Sequence, residues 1–417
     1  MDKFVIQGPT RLKGSVRVNG AKNAVLPLIA ASLLTSGTSI IENVPDLQDV
    51  NTMIKLLRIL GAGIVFDNHT LTIDTSTVNQ TEAPYDLVKT MRASIYVMGP
   101  LLAARGEARV SLPGGCAWGP RPIDLHLMAM EKLGASLDLK HGYINARARR
   151  LRGTEIHMPI SSVGATANTL MAATLAAGKT VIRNAALEPE VTELGEALRS
   201  AGAVIDGLGT RTIVVEGVSR IEPFRYRVIP DRIEAGTFIA AAVATAGDVT
   251  IESCYPPHLD AVVDAFRSCG AAFDIGESNI RVKGPRSFER IDVVTKEYPG
   301  FPTDMQAQMM AVLCMANGTS TVKETIYPDR FTHVPELRRL GATIRLDGNL
   351  AVITGVSSLE GAPVMATDIR ASSALVIAGM AAKGKTEISR VYHLDRGYEG
   401  LEKKLSHLGA AIERVPE

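Results

Sequence analysis

The sequence predicts an α/β protein of two similar globular domains, each built from three repeated α/β units with pseudo-three-fold symmetry. Two glycine series and the chain length carry this reading. Gly61, Gly134, Gly202, Gly270, Gly341 and Gly409 each precede an alanine after an amphipathic run, at spacings of 73, 68, 68, 71 and 68. Gly37, Gly106, Gly178, Gly247, Gly318 and Gly384 each separate an Ala-rich run from a β-branched run, at spacings of 69, 72, 69, 71 and 66. Two independent series sharing one period mark a six-fold internal repeat. At 417 residues the chain exceeds one ordinary core.

Each repeat reads in the same order. An Ala-rich helix, apolar on most sides and therefore expected to be buried, comes first. The turn glycine is expected to end it as a C-cap. A strand follows, as in Thr38-Ser39-Ile40-Ile41 or Val249-Thr250-Ile251. An amphipathic helix comes next; in the first repeat Val50, Met53, Ile54 and Leu57 sit at i, i+3, i+4 and i+7. Two short strands close the unit, for example Ile64–Phe66 and Leu71–Ile73. The division between domains is expected near Tyr226–Pro230.

Composition narrows the function. Aromatics make up 5% of the chain with a single tryptophan, Trp118, which argues against nucleic-acid binding by base stacking. The formal charge of +1 argues against a broad polyanion surface, so any anion site must be a local cluster of Lys and Arg. Cys116, Cys254, Cys269 and Cys314 form no C-x-x-C pair, and no His/Cys set has zinc spacing. The start Met1-Asp2-Lys3-Phe4 lacks a signal-peptide pattern, and no apolar run reaches the roughly 18 residues that span a bilayer. A cytoplasmic protein with reduced thiols is expected.

Polar residues recur at one place in the repeat. Fourteen residues before the turn glycines stand Asn23, Arg92, Gly164, Ile233, Asp304 and Arg370. These positions open the apolar helices, where free N–H groups and the dipole favour anions. Asn and Asp also serve there as ordinary N-caps. Arg92, Arg370 and Lys22, beside Asn23, oppose the dipole, so an unpaired cation there calls for an anionic ligand.

The stretch Ser111-Leu112-Pro113-Gly114-Gly115-Cys116-Ala117-Trp118-Gly119-Pro120-Arg121-Pro122 joins a strand to a helix, expected over Ile123–Leu133. Its glycines and prolines describe a loop. Arg121 beside Cys116 favours the thiolate, which suits a nucleophile or general acid–base. The other three cysteines read as inert. Gly379 to Thr386 matches G-x-x-x-x-G-K-[ST], but it follows a helix and opens a strand, the wrong context for a phosphate loop. His126 reads as structural or solvated. Asp329-Arg330 and Asp395-Arg396 are either surface ion pairs or, by their place before helix starts, anion contacts.

Lys22-Asn23, Gly114-Gly115-Cys116, Gly119-Pro120-Arg121-Pro122, Phe301 to Gln308, Ala366 to Ser372 and Asp395 to Glu399 together closely resemble the UDP-N-acetylglucosamine 1-carboxyvinyltransferase family of enolpyruvyl transferases. The resemblance covers essentially the whole chain. It implies two inside-out α/β barrels around a cleft that holds the active site, with the N-terminal strand in the second. The domains would be 22–229, carrying the Cys116 loop, and 1–21 plus 230–417. It also implies transfer of the enolpyruvyl group of phosphoenolpyruvate to the 3′-hydroxyl of UDP-N-acetylglucosamine, through a tetrahedral ketal, with no cofactor, metal, nucleic acid or membrane.

By the same resemblance Cys116 is the general acid at C3, forms an adduct with phosphoenolpyruvate and is alkylated by fosfomycin. Asp304 is the base on the sugar hydroxyl. Lys22, Arg121 and Arg396 clamp phosphoenolpyruvate, with Arg330 and Arg370 nearby, and Asp368 is a substrate contact. Asn23 orients substrate. Arg92, Arg121, Pro122, Ile123, Asp124, Leu125, Ser162, Val163, Gly164, Asp304 and Ile326 match the UDP-sugar site. Ile160 stands where many members carry a lysine, and Trp118 replaces an aliphatic residue. The rivals are the sister enzyme 5-enolpyruvylshikimate-3-phosphate synthase, which lacks a loop cysteine acid, and a UDP-sugar sensor without turnover.

Overall fold

Six four-stranded sheets surround two sets of three buried helices in the computed structural model, which describes residues 2–112 and 123–417. The chain divides into two domains. Among described residues the first holds 20–112 and 123–229, the second 2–19 and 230–417.

The helices Lys22–Ala31, Met98–Arg105 and Val163–Ala173 form the centre of the first domain. Arg232–Ala244, Gln306–Leu313 and Ile369–Ala381 do the same in the second. They carry no polar stripe. Every residue from Ile233 to Ala244 is buried. A helix apolar all round can only sit inside, so the sheets must lie outside it. Their strands alternate accordingly: in Lys179–Arg183 only Thr180 and Ile182 are buried. The amphipathic helices fill the remaining gap. Val50, Met53, Ile54 and Leu57 are all buried in Gln48–Ile59.

Each four-stranded sheet has the same plan. In the second repeat Glu82–Ala83 runs parallel to Glu107–Ser111, which pairs antiparallel with Tyr143–Arg147, and that strand with Ser136–Lys140. Three sheets complete this plan with a strand from far away in sequence. Arg225–Arg227 supplies the parallel edge of the first repeat, beside Thr38–Glu42. Lys13–Arg17 supplies it in the fourth, beside Asp248–Glu252. Asp2–Gly8 fills the sixth sheet between Gly384–Ser389 and Ala411–Pro416. Phe4 and Ile6 of that strand are completely buried.

The segments that pass from one domain to the other are each anchored by a buried carboxylate of their own domain. Glu234 accepts the Asn19 N–H at 2.7 Å and is neutralised by Lys404 at 2.6 Å. Glu193 accepts the Ile229 N–H at 3.0 Å. Burial, reinforced by Glu190 and Glu196, pushes its carboxyl up to about 8.

The expectation that the turn glycines cap the helices needs correction. Only Gly106 is a helix C-cap. The helices before Gly178 and Gly247 end earlier, because Thr174 and Thr245 turn their hydroxyls onto Met171 O (2.7 Å) and Ala241 O (2.8 Å) and satisfy carbonyls a glycine cap would have served. In the fourth repeat the left-handed residue is Ala246, at φ 48°, rather than Gly247. Gly247 answers a different need, since a Cβ there would stand 2.6 Å from the Leu12 carbonyl oxygen. The stretch resembling a phosphate loop joins the helix Ile369–Ala381 to the strand Gly384–Ser389, so its context is that of a repeat turn.

Deleting residues 2–8 leaves Ala411–Pro416 without a sheet partner, and loss of the second domain's cooperative unfolding is expected in a thermal melt. Phe4→Ala alone should cost about 3–5 kcal/mol. Between its ordinary value near 4.3 and about 8, folded Glu193 keeps a proton the unfolded chain has released. Stability should therefore fall as pH rises through that window, and Glu193→Gln should flatten the slope in denaturant titrations at several pH values.

Candidate active site

The polar residues picked out by the repeat lie where the buried helices open. Asn23, Gly164, Ile233 and Arg370 are second residues of their helices. Arg92 and Asp304 stand in short 3₁₀ turns that lead into theirs.

In the first domain Lys22 begins the helix Lys22–Ala31, and its Nζ lies 3.0 Å from Asp49 Oδ2. Asp49 is buried in the first turn of Gln48–Ile59. A carboxylate therefore balances the charge that the sequence left without a counterion. Asn23 follows, half-buried, and the helix has no side-chain cap, so neither residue is there to cap it.

Arg92 and Gly164 stand near one ring. His126 is buried; a Cβ added to Gly164 would lie 3.1 Å from its Nε2, and the charge of Arg92 acts on it. Burial and then Arg92 push the imidazole down to about 4. Ser162 caps the helix Val163–Ala173, its Oγ accepting from Ala165 N–H at 3.3 Å. Val163 and Gly164 form the first turn, where N–H groups have no acceptor within the helix. Ile123 and Asp124 precede Leu125 at the start of Asp124–Lys132, with Asp124 exposed. Ile160, 62% exposed, offers no charge here.

In the second domain Asp304 is held between two arginines. Its Oδ1 lies 2.8 Å from Arg330 Nη1, and its Oδ2 2.9 Å from Arg370 Nη2. Both guanidiniums are about 95% buried. Burial alone would raise the Asp304 carboxyl, but Arg370 and Arg330 outweigh it and hold it well below the usual carboxylate range. Arg370 also donates to the Tyr398 hydroxyl at 3.1 Å, which meets Thr237 Oγ1 at 2.8 Å. Arg330 donates to Thr303 Oγ1 at 3.0 Å. The argument from unpaired cations thus fails for Lys22 and Arg370, because carboxylates distant in sequence already face them.

Asp368 turns out to be a helix cap. Its Oδ1 accepts from the N–H groups of Arg370 (2.8 Å) and Ala371 (3.0 Å), and its Oδ2 accepts from the Thr332 hydroxyl. Ile326 N–H donates to Glu324 Oε1 at 2.8 Å. Asp395 pairs with Arg414 rather than with its neighbour Arg396, which ends the turn Val391–Arg396 half-buried. Cys254, Cys269 and Cys314 are buried, and desolvation pushes their thiols up to about 11, 12 and 12. Cys116, Trp118, Arg121 and Pro122 lie outside the described residues.

Sequence reasoning missed three groups that shape these sites. Asp49 was legible as an acidic first-turn residue. Glu324 is fully buried and accepts from Thr295, Thr303, Ile326 and Tyr327, yet no local signal sets it apart. Asn168, which holds His126, lies unmarked within an apolar helix.

Asp304→Asn removes the charge that both buried guanidiniums face, and should cost about 3 kcal/mol, the scale for breaking a buried pair. The folded carboxyl lies below its unfolded value near 3.9, so its stabilisation is complete above that value and lost as pH falls through the folded one. Denaturant titration should show the wild-type advantage intact at about pH 5 and shrinking only below about pH 4.

Comparison with known proteins places the chain. The sequence pattern of the EPSP synthase (3-phosphoshikimate 1-carboxyvinyltransferase) family matches residues 6–405. The UDP-N-acetylglucosamine 1-carboxyvinyltransferase of Geobacter metallireducens is 52% identical over 417 residues, covering all of both chains. That of Chlorobaculum parvum is 54% identical over 417 residues, covering 99% of this chain and 98% of its own. Among solved structures, the enolpyruvyl transferase NikO from Streptomyces tendae superposes with a TM-score of 0.89 at 27% identity, over 100% of this chain and 99% of that one. EPSP synthase from Acinetobacter baumannii shares the fold, at TM-score 0.76 and 18% identity over the full length of both chains. The chain belongs to the enolpyruvyl transferases and, within them, to the UDP-N-acetylglucosamine 1-carboxyvinyltransferase family.

Proposed function

We propose that this protein transfers the enolpyruvyl group of phosphoenolpyruvate to the 3′-hydroxyl of UDP-N-acetylglucosamine and releases phosphate, the first committed step of peptidoglycan synthesis. The observation that carries this reading is the full-length identity above one half to enzymes of that name. The residue chemistry supports it. The sugar oxygen bonds to C2 of phosphoenolpyruvate while C3 takes a proton, giving a tetrahedral ketal. A proton then leaves C3, the C2–O bond to phosphate breaks, and the double bond returns.

Cys116 is the acid at C3, and Lys22, Arg121 and Arg396 hold the phosphate and carboxylate of phosphoenolpyruvate. Asn23 orients the reacting groups. Arg92, Ile123–Leu125, Ser162–Gly164 and Ile326 contact the UDP-sugar. Asp304 accepts the hydroxyl proton. Its two arginine partners make it a weak base, so it takes the proton late, when the forming C–O bond has made the hydroxyl acidic. Those same arginines are fixed in place before any substrate arrives, which lowers the cost of reorganisation around a charged intermediate. A nucleotide sugar and phosphoenolpyruvate as substrates support a reaction in the cytoplasm. No helix among the described residues is long and apolar enough to cross a membrane.

Phosphate release from phosphoenolpyruvate should require UDP-N-acetylglucosamine and not respond to shikimate-3-phosphate. The opposite preference would assign the sister activity. Cys116→Ser should slow release about a hundredfold or more while UDP-sugar still binds; an unaltered rate at neutral pH refutes the acid role.

A further inference from the structure

Glu324 is completely buried and directly follows the strand Thr319–Lys323. A carboxylate in such a place has to be supplied with donors, and this one is. Its Oε1 accepts from the Thr295 hydroxyl at 2.8 Å, the Ile326 N–H at 2.8 Å and the Tyr327 N–H at 3.0 Å. Its Oε2 accepts from the Thr303 hydroxyl at 2.8 Å. The two oxygens therefore serve two different segments, one leading to Ile326 and one leading to Asp304.

A hydroxyl has one hydrogen. That of Thr303 is committed to Glu324, so its oxygen is left to accept, and Arg330 Nη1 donates to it at 3.0 Å. The same Nη1 lies 2.8 Å from Asp304 Oδ1. It carries two hydrogens, one for each oxygen. The donors along Arg330, Thr303 and Glu324 thus all point one way, away from Asp304, and the carboxylate at the end of the chain sets their order. Glu324 has no exposed surface and cannot touch a ligand. Whatever it does at the site passes through Thr303 or through the backbone of Ile326 and Tyr327.

We infer that Glu324 is a positioning residue for the transfer reaction: its Oε2 orients the Thr303 hydroxyl that holds Arg330 against Asp304, and its Oε1 fixes the backbone that carries Ile326. This rests on the reading of Asp304 as the base and Ile326 as a contact to the UDP-sugar. One carboxylate keeps base and sugar contact in register, because its two oxygens are covalently fixed relative to each other.

Glu324→Gln in the full-length protein separates the two arms. The three donors on Oε1 call for an oxygen there, which puts the amide nitrogen where Thr303 needs an acceptor. The Ile326 arm is kept and the Thr303 arm is broken. In phosphate-release assays with phosphoenolpyruvate and UDP-N-acetylglucosamine, kcat should fall about tenfold to a hundredfold, the scale of a small misplacement at the reacting centre. The Kd of UDP-N-acetylglucosamine, read by calorimetry, should stay at the wild-type value. Thr303→Val should repeat the loss of kcat, and Thr303→Ser, which keeps the hydroxyl, should restore it. The double variant Glu324→Gln/Thr303→Val should be no slower than the slower single, because both cut the same chain. Glu324→Ala removes both arms and should weaken UDP-N-acetylglucosamine as well. Unchanged kcat in a folded Glu324→Gln, affinity lost in step with kcat, losses that multiply in the double variant, or normal affinity in a folded Glu324→Ala each overturns the inference. Should the Glu324 variants fail to fold, the Thr303 pair decides, and a Thr303→Ser as slow as Thr303→Val overturns it. Wild-type protein that releases no phosphate with UDP-N-acetylglucosamine overturns the functional reading itself, whereas normal wild-type turnover with an indifferent Glu324→Gln overturns only this inference.

Discussion

Each domain is built on three helices that have no polar face. A helix of that kind can be hydrated only at its ends, so polar chemistry is confined to the places where the helices begin and stop. The sheets follow from the same constraint, since they must cover the helices on the outside and alternate their residues to do so. The charged residues Lys22, Arg92, Asp304 and Arg370 all stand at helix openings.

Charge at these openings is compensated before any ligand binds. Asp49 faces Lys22, and Asp304 faces Arg330 and Arg370 together. Leaving a buried guanidinium unpaired costs several kcal/mol, so such sites survive only as networks. One consequence concerns Asp304: the arrangement that orients it also weakens it as a base. Another is that Asp368, four residues from Ser372, spends its carboxylate on the helix Ile369–Ala381 and so fixes the backbone that carries Arg370.

Closure of the fold depends on strands borrowed across long stretches of sequence. The last strand of the chain, Ala411–Pro416, pairs only with Asp2–Gly8 in its sheet. The strand Lys13–Arg17 precedes the first repeat but pairs in the fourth, while Arg225–Arg227 precedes the fourth and pairs in the first. The domains therefore cannot be cut apart as two contiguous halves of the sequence. The buried carboxylates Glu193 and Glu234 hold the backbone at the two passages, but Lys404 neutralises only Glu234.

The sequence by itself determined the repeat, the buried helices and the positions of the polar residues. Those are local properties: a glycine in the left-handed region, an apolar run of helical length, a polar residue at its start. All six glycines of the Gly-Ala steps have φ between 90° and 103°, as a step that reverses the chain demands. Tertiary structure alone decided which charge meets which. Nothing near Lys22 announces Asp49, and Asp304 lies 66 residues from Arg370. The same holds for the Asn168–His126 pair, 42 residues apart, whose hydrogen bond no local pattern encodes. Backbone preferences act over a few residues and can be read along a chain; side-chain pairing depends on where helices from different repeats come together, and only the packed domain sets that.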